Sequence, residues 1–175
     1  MRFIATCTAF GILTASLSSC SDPSDNNPSI ERQLEQIELQ EIRQVQSVWE
    51  ELVRITEPCE NSAKKLTAAL DNGTMDNAGI IAKSGQLECA EAMQSINELA
   101  IPESIDTPIF SQLIIGLSEC HDAQQARKKF LEAADAVIQG DRTQWRVSLV
   151  QTASMVTQER TKDCISTFIE AGAKP

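Results

Sequence analysis

Four cysteines, Cys59, Cys89, Cys120 and Cys164, constrain this chain more than any other feature, because they form two pairs, each centred on a break in the helical pattern. The pattern comes from apolar residues spaced three and four apart, which line one face of a helix. The first stripe runs Ile30, Leu34, Ile37, Ile42, Val45, Val48, Leu52, Ile55, Cys59, Ala63, Leu66 and Leu70. Ser29 would cap its start, and Asn72-Gly73 would end it in a left-handed stop. Pro58 lies inside this stripe and predicts a kink, or a fresh start capped by Thr56. A second stripe carries Ala78, Ala82, Gly85, Cys89, Ala92, Ile96 and Leu99, and Pro102 stops it. The third uses Phe110, Leu113, Leu117, Cys120, Ala123, Phe130, Ala134 and Val137 and ends at Gly140. In the fourth, capped by Asp141, Trp145, Leu149, Ala153, Val156, Cys164 and Phe168 share a face.

Facing residues of an antiparallel hairpin lie symmetrically about its turn. The midpoint of 59 and 89 is position 74, beside Asn72-Gly73, and that of 120 and 164 is position 142, beside Gly140-Asp141. Other pairings put midpoints inside predicted helices or bridge separate hairpins. The spacing therefore predicts Cys59–Cys89 and Cys120–Cys164, each bridge worth roughly 3–4 kcal/mol in the chain-entropy view. Small residues such as Ala82, Gly85 and Ala92 let the backbones approach closely enough. The expected fold is all-α: an antiparallel four-helix bundle made of two disulfide-linked helical hairpins. The two turns would sit together at one end, with the Ile101–Thr107 linker and the C-terminus at the other. Position 49 pairs with 99 about the first turn, so helix one before about residue 48 is expected to overhang helix two. An overhanging amphipathic segment must find apolar cover, from helices three and four or from a partner.

Composition agrees with helices. Aromatic residues are only 4% of the chain, tyrosine is absent, and Gly and Pro number 7 and 6 in 175 residues. Strands and their turns need more of these types. The length suits one domain with an ordinary core, and no similarity between the halves is strong enough to mark a repeat.

The N-terminus is of a different character. Met1-Arg2 leads into a short apolar run, Phe3 to Leu13, then small residues as far as Cys20. One basic residue, a brief apolar stretch and a small-residue tail make the pattern of a signal peptide. The stretch is too short to span a bilayer as a mature helix. Leu17-Ser18-Ser19-Cys20 resembles the lipobox of bacterial lipoprotein precursors. That resemblance covers the processing site alone and implies cleavage after Ser19, diacylglycerol on the Cys20 sulfur and acylation of the new amino group. Several acyl chains, at about 0.8 kcal/mol per buried methylene, hold a protein firmly on a membrane. Ser21, where aspartate would resemble an inner-membrane retention signal, permits outer-membrane sorting in a diderm host. The implied order is a signal peptide over 1–19, a lipidated cysteine and flexible tether over 20–28, and the helical domain over 29–175. Cleavage removes Cys7 and the thioether occupies Cys20, leaving four thiols in an oxidising compartment.

The chain carries a formal charge of −10, or −11 once Arg2 is lost. Such a surface repels phosphate backbones and argues against nucleic acid. Arg127-Lys128-Lys129 is the one basic triplet, and it reads as a solvated stretch of helix, a local anion or partner contact being the minor reading. His121 is the sole histidine, and it reads as a surface residue; a His/Met haem site with Met75, Met93 or Met155 has no geometric support. No C-x-x-C knuckle points to thiolate zinc. There is no Gly-x-Ser-x-Gly elbow and no Glu-x-x-His pair. Glu50, Glu51, Glu57, Glu60 and Glu88 read as a solvated face. Trp49 and Trp145 are expected in the core; either one exposed would mark a contact surface.

These residues supply no catalytic, cofactor or metal site. They point to a lipid-anchored protein of the cell envelope, on the periplasmic face of the outer membrane in a diderm host. Its bundle is expected to be non-catalytic, binding a protein partner or supporting an assembly. A small-ligand or sensor module is the alternative, and an enzyme the last.

Overall fold

A computed structural model describes residues 28–74 and 77–175. Four helices account for the regular structure of these residues: α1 (Pro28–Asp71), α2 (Ala78–Glu98), α3 (Thr107–Ile138) and α4 (Gln144–Glu170). They form an antiparallel bundle of two disulfide-linked hairpins. Cys59 pairs with Cys89 and Cys120 with Cys164. Cys20 and the segment before it lie outside the described residues, as does Met75.

The turns follow from glycine. At the end of α1, Gly73 takes φ +67° and the Thr74 N–H donates to the Ala69 carbonyl at 2.9 Å, closing a left-handed cap. The end of α3 repeats the motif: Gly140 takes φ +107°, and the Asp141 N–H donates to the Ala136 carbonyl at 3.0 Å.

Three expected helix ends are corrected. α1 begins at Pro28, so Ser29 is inside the helix rather than its cap. It also runs unbroken through Pro58. Proline costs that turn one hydrogen bond, but buried contacts on both sides, Leu52 and Cys59 among them, hold the helix together. Thr56 caps nothing: it is buried, and its hydroxyl donates to the Val53 carbonyl within the same helix. The cap of α4 is Thr143, whose hydroxyl accepts from the Arg146 N–H at 3.4 Å. Asp141 instead braces that cap from outside, accepting from the Thr143 hydroxyl and the Arg146 Nε, each at 3.0 Å.

The core divides into two clusters, with one disulfide in each. Cys120–Cys164 sits with Val45, Leu52, Leu113 and Phe168 at the end where the α2–α3 linker and the C-terminus meet. Cys59–Cys89 sits nearer the turns with Leu66, Phe130, Leu131 and several alanines. The alanine-rich cluster brings backbones close. A Cβ added at Gly85 of α2 would lie 2.8 Å from the Ser62 Cβ. The α2 stripe is buried from Ala78 through Ile96, in line with its spacing.

Not every stripe is covered. Leu34, Ile37 and Ile42 are exposed, because α1 outruns its neighbours at this end. Part of the segment that overhangs α2 is covered by α3 and α4, as Val45 and Val48 cluster with Leu113 and Phe168. Val45 and Val48 are buried, closed over by Ile105 of the linker and Ala171 and Ala173 of the tail. Gln46 fastens the tail, accepting from the Lys174 N–H at 2.9 Å. Phe110, Val156 and Trp145 are also exposed, contrary to their stripe positions. α3 packs extensively against α4 and α2 and less against α1. Among the described residues, no helix is long and apolar enough to cross a membrane.

Candidate binding cleft between α1 and α4

Helices α1 and α4 both lean on α3 but part from one another toward the turns. At one end they meet: the rings of Trp49 and Phe168 lie 5.2 Å apart, centroid to centroid. From there a cleft opens along α3. Its wider part, of about 540 Å³, is walled by Ala63, Thr67 and Ala68 of α1 and Thr157 and Thr161 of α4, with Phe130 of α3 contributing. A narrower part, of about 250 Å³, reaches back to Trp49 and Leu52. Glu60, Lys64, Arg127 and Thr161 line both, so the two parts are continuous.

Arg127 dominates this cleft. It is only 5% exposed, which corrects the solvated reading of the basic triplet for this residue. Its neighbour Lys128 is half-buried and Lys129 exposed. Burying a guanidinium is costly unless it is well paired. The Arg127 Nη2 donates to the Thr161 hydroxyl at 2.9 Å, and that hydroxyl donates onward to the Thr157 carbonyl at 2.7 Å. The nearest carboxylate oxygen, on Glu60, is 3.9 Å away, too far for a hydrogen bond. Glu60 gives its other oxygen to Lys64 at 2.9 Å. Burial pushes the Arg127 pKa down from its ordinary value, and the Glu60 charge opposes that shift. One turn along α3, Gln124 is 2% exposed, and its side-chain oxygen accepts no hydrogen bond among the described residues. It lines the narrower part of the cleft.

The sequence contained a signal for Arg127. It lies seven residues from Cys120 and seven from Ala134, both on the α3 stripe, and so falls two turns from each along the buried face. Reading the triplet as one block of charge concealed this.

The other expected sites are scattered. His121 is half-buried, its Nδ1 3.9 Å from the adjacent Asp122 carboxylate. Glu50 and Glu57 are exposed, Glu51 pairs with Arg54, and Glu88 accepts from the Ser62 and Ser84 hydroxyls. Of the five, only Glu57 and Glu60 border the cleft. Trp49 is half-buried against the core, while Trp145 is 64% exposed with Arg146 stacked 4.8 Å from its ring centre. Met93 is half-buried and Met155 exposed, neither of them lining the cleft. The four thiols of the helical domain are consumed in disulfides, which leaves none to ligate a metal.

No family model, curated protein or solved structure matches this chain.

Proposed function

We propose that this protein is a lipid-anchored component of the bacterial cell envelope whose bundle is a non-catalytic binding module, holding a protein partner in the cleft between α1 and α4. The anchor rests on the lipobox-like Leu17-Ser18-Ser19-Cys20, and the binding role on a cleft with a buried, under-paired arginine at its floor. The wider part of the cleft opens to solvent between α1 and α4. Pockets for small molecules enclose most of their ligand, so an open trough favours an extended partner.

Two measurements test this reading. Mass spectrometry of the membrane-extracted protein is expected to show a mature chain beginning at acylated Cys20; an unmodified Cys20 thiol removes the anchor. A photo-cross-linking residue at Ala68, in the cleft, is expected to trap a defined envelope protein in living cells. The same residue at Ile80, exposed on α2, serves as the control. Equal adducts from both positions, or none from Ala68, reject the cleft as the binding surface.

A further inference from the structure

We infer that the cleft between α1 and α4 is a receptor for the carboxylate of a peptide chain, bound through the Arg127 guanidinium with its neighbouring amide N–H on the Gln124 side-chain oxygen. This rests on the binding role proposed above and specifies what is bound.

Two independent observations point to a ligand of this kind. A guanidinium carries five N–H donors in a planar fork, matched to the two oxygens of a carboxylate. Among the described residues, the hydrogen bond that Arg127 makes uses one of those donors, on Thr161. The second observation is the buried Gln124 oxygen, which lacks a donor. Arg127 and Gln124 are three residues apart on α3, so they stand side by side, roughly 5–6 Å between Cβ atoms. A ligand that answers both must present an anion and a donor a few ångströms apart, with apolar surface to set against Leu52, Ala63 and Phe130. A peptide terminus or acidic side chain next to a backbone N–H does so; a fatty acid has the anion and the apolar part but no donor.

Glu60 is the rival anion, 3.9 Å from Arg127. It need not be expelled, because Lys64 already holds its other oxygen. Of the remaining charged groups at the cleft, Asp71 lies at its turn end, while Glu57 stands one helical turn from Glu60 and is exposed. A ligand carboxylate thus takes the fork that Glu60 does not reach. Removing the Glu60 charge should strengthen binding.

The test uses the oxidised, ¹⁵N-labelled mature protein and three probes: N-acetyl-leucyl-alanine as the free acid, the same dipeptide as its C-terminal amide, and decanoate. Proton–nitrogen spectra follow the Arg127 Nε–H and the amides of Trp49, Gln124 and Thr161. The acid is expected to shift the Arg127 Nε–H downfield and to bind at least about tenfold more tightly than the amide, as expected for a charge-assisted bond. Arg127→Met should abolish the response, Gln124→Leu should weaken the dipeptide acid but not decanoate, and Glu60→Gln should tighten the acid. Equal binding of acid and amide, an unchanged titration in Arg127→Met, or no shift with any probe overturns the assignment. Decanoate binding as tightly as the dipeptide acid overturns the peptide class. Any of these results alongside a specific Ala68 adduct defeats only the carboxylate assignment, whereas the absence of such an adduct defeats the binding role itself.

Discussion

The ring of Phe168 on α4 rests on the bare backbone of Gly116 on α3: a Cβ built at Gly116 would lie 2.8 Å from the Phe168 Cε2. Phe168 also meets Trp49 of α1, so this one ring joins three helices where the cleft closes. Alanine at 116 brings two opposing effects. Helix propensity favours alanine by up to about 1 kcal/mol, while overpacking a tight core typically costs about 1–3 kcal/mol. A buried aromatic ring cannot step aside as a flexible chain end can, so the clash should win. Gly116→Ala is expected to lower stability in urea unfolding by about 1–2 kcal/mol. Gly79→Ala is the control: its new Cβ would meet the Ile138 Cγ2 at an ordinary 3.7 Å, and it should leave stability unchanged or slightly raised.

Each disulfide stiffens a different half of the core, so their losses should be separable. Replacing Cys59 and Cys89 by alanine should cost roughly 3–4 kcal/mol, and replacing Cys120 and Cys164 a few tenths more, because the second bridge closes the longer loop. The sequence separations are 30 and 44. Hydrogen exchange distinguishes them by position. Loss of the first should accelerate exchange around Leu66 and Ala82, and loss of the second around Leu113 and Phe168. Uniform acceleration throughout the bundle in both variants would show that the two clusters melt as one.

The hairpins, their turns and both bridges were legible in the sequence, because each depends on spacing along a single helix pair and on glycines that must adopt positive φ. What escaped depended on contacts between hairpins. The burial of Val45 comes from the linker residue Ile105 and the tail residue Ala173, neither of which belongs to a periodic stripe. Trp145 sits on the α4 stripe yet is exposed, with Arg146 stacked on its ring. The cleft was invisible for the same reason. Periodicity says which face of a helix is apolar, and not that α1 and α4 diverge.

Acid should weaken the start of α4 through Asp141. Hydrogen bonds from Arg146 and then Thr143 hold its carboxyl below its ordinary value of 3.8. A carboxylate whose folded pKa is depressed stabilises the fold fully above its unfolded value, and loses that contribution as pH falls through the folded one. The stability difference between the native chain and Asp141→Asn should therefore be constant above about pH 4–5 and shrink below it. Chemical unfolding at a series of pH values checks this. A difference that grows on acidification would show that the carboxyl stabilises α4 in its protonated form.

Arg127 separates a structural role from a binding one. If its guanidinium were there to hold the fold, removing it should be expensive, as breaking a buried ion pair commonly costs about 3–5 kcal/mol. Here the pairing among the described residues is slight: one hydrogen bond to Thr161 and a carboxylate 3.9 Å away. Methionine fills a similar volume and leaves no charge stranded, because Glu60 keeps Lys64 and the Thr161 hydroxyl keeps the Thr157 carbonyl. Exchanging a buried ion for a hydrophobic residue of similar volume is often neutral or stabilising, by about 1–4 kcal/mol. Arg127→Met is thus expected to unfold at the same temperature as the native chain or a higher one, followed by circular dichroism. A drop in midpoint of more than about 8 °C, roughly 2 kcal/mol or more for a domain of this size, would show that the arginine serves the fold rather than a ligand.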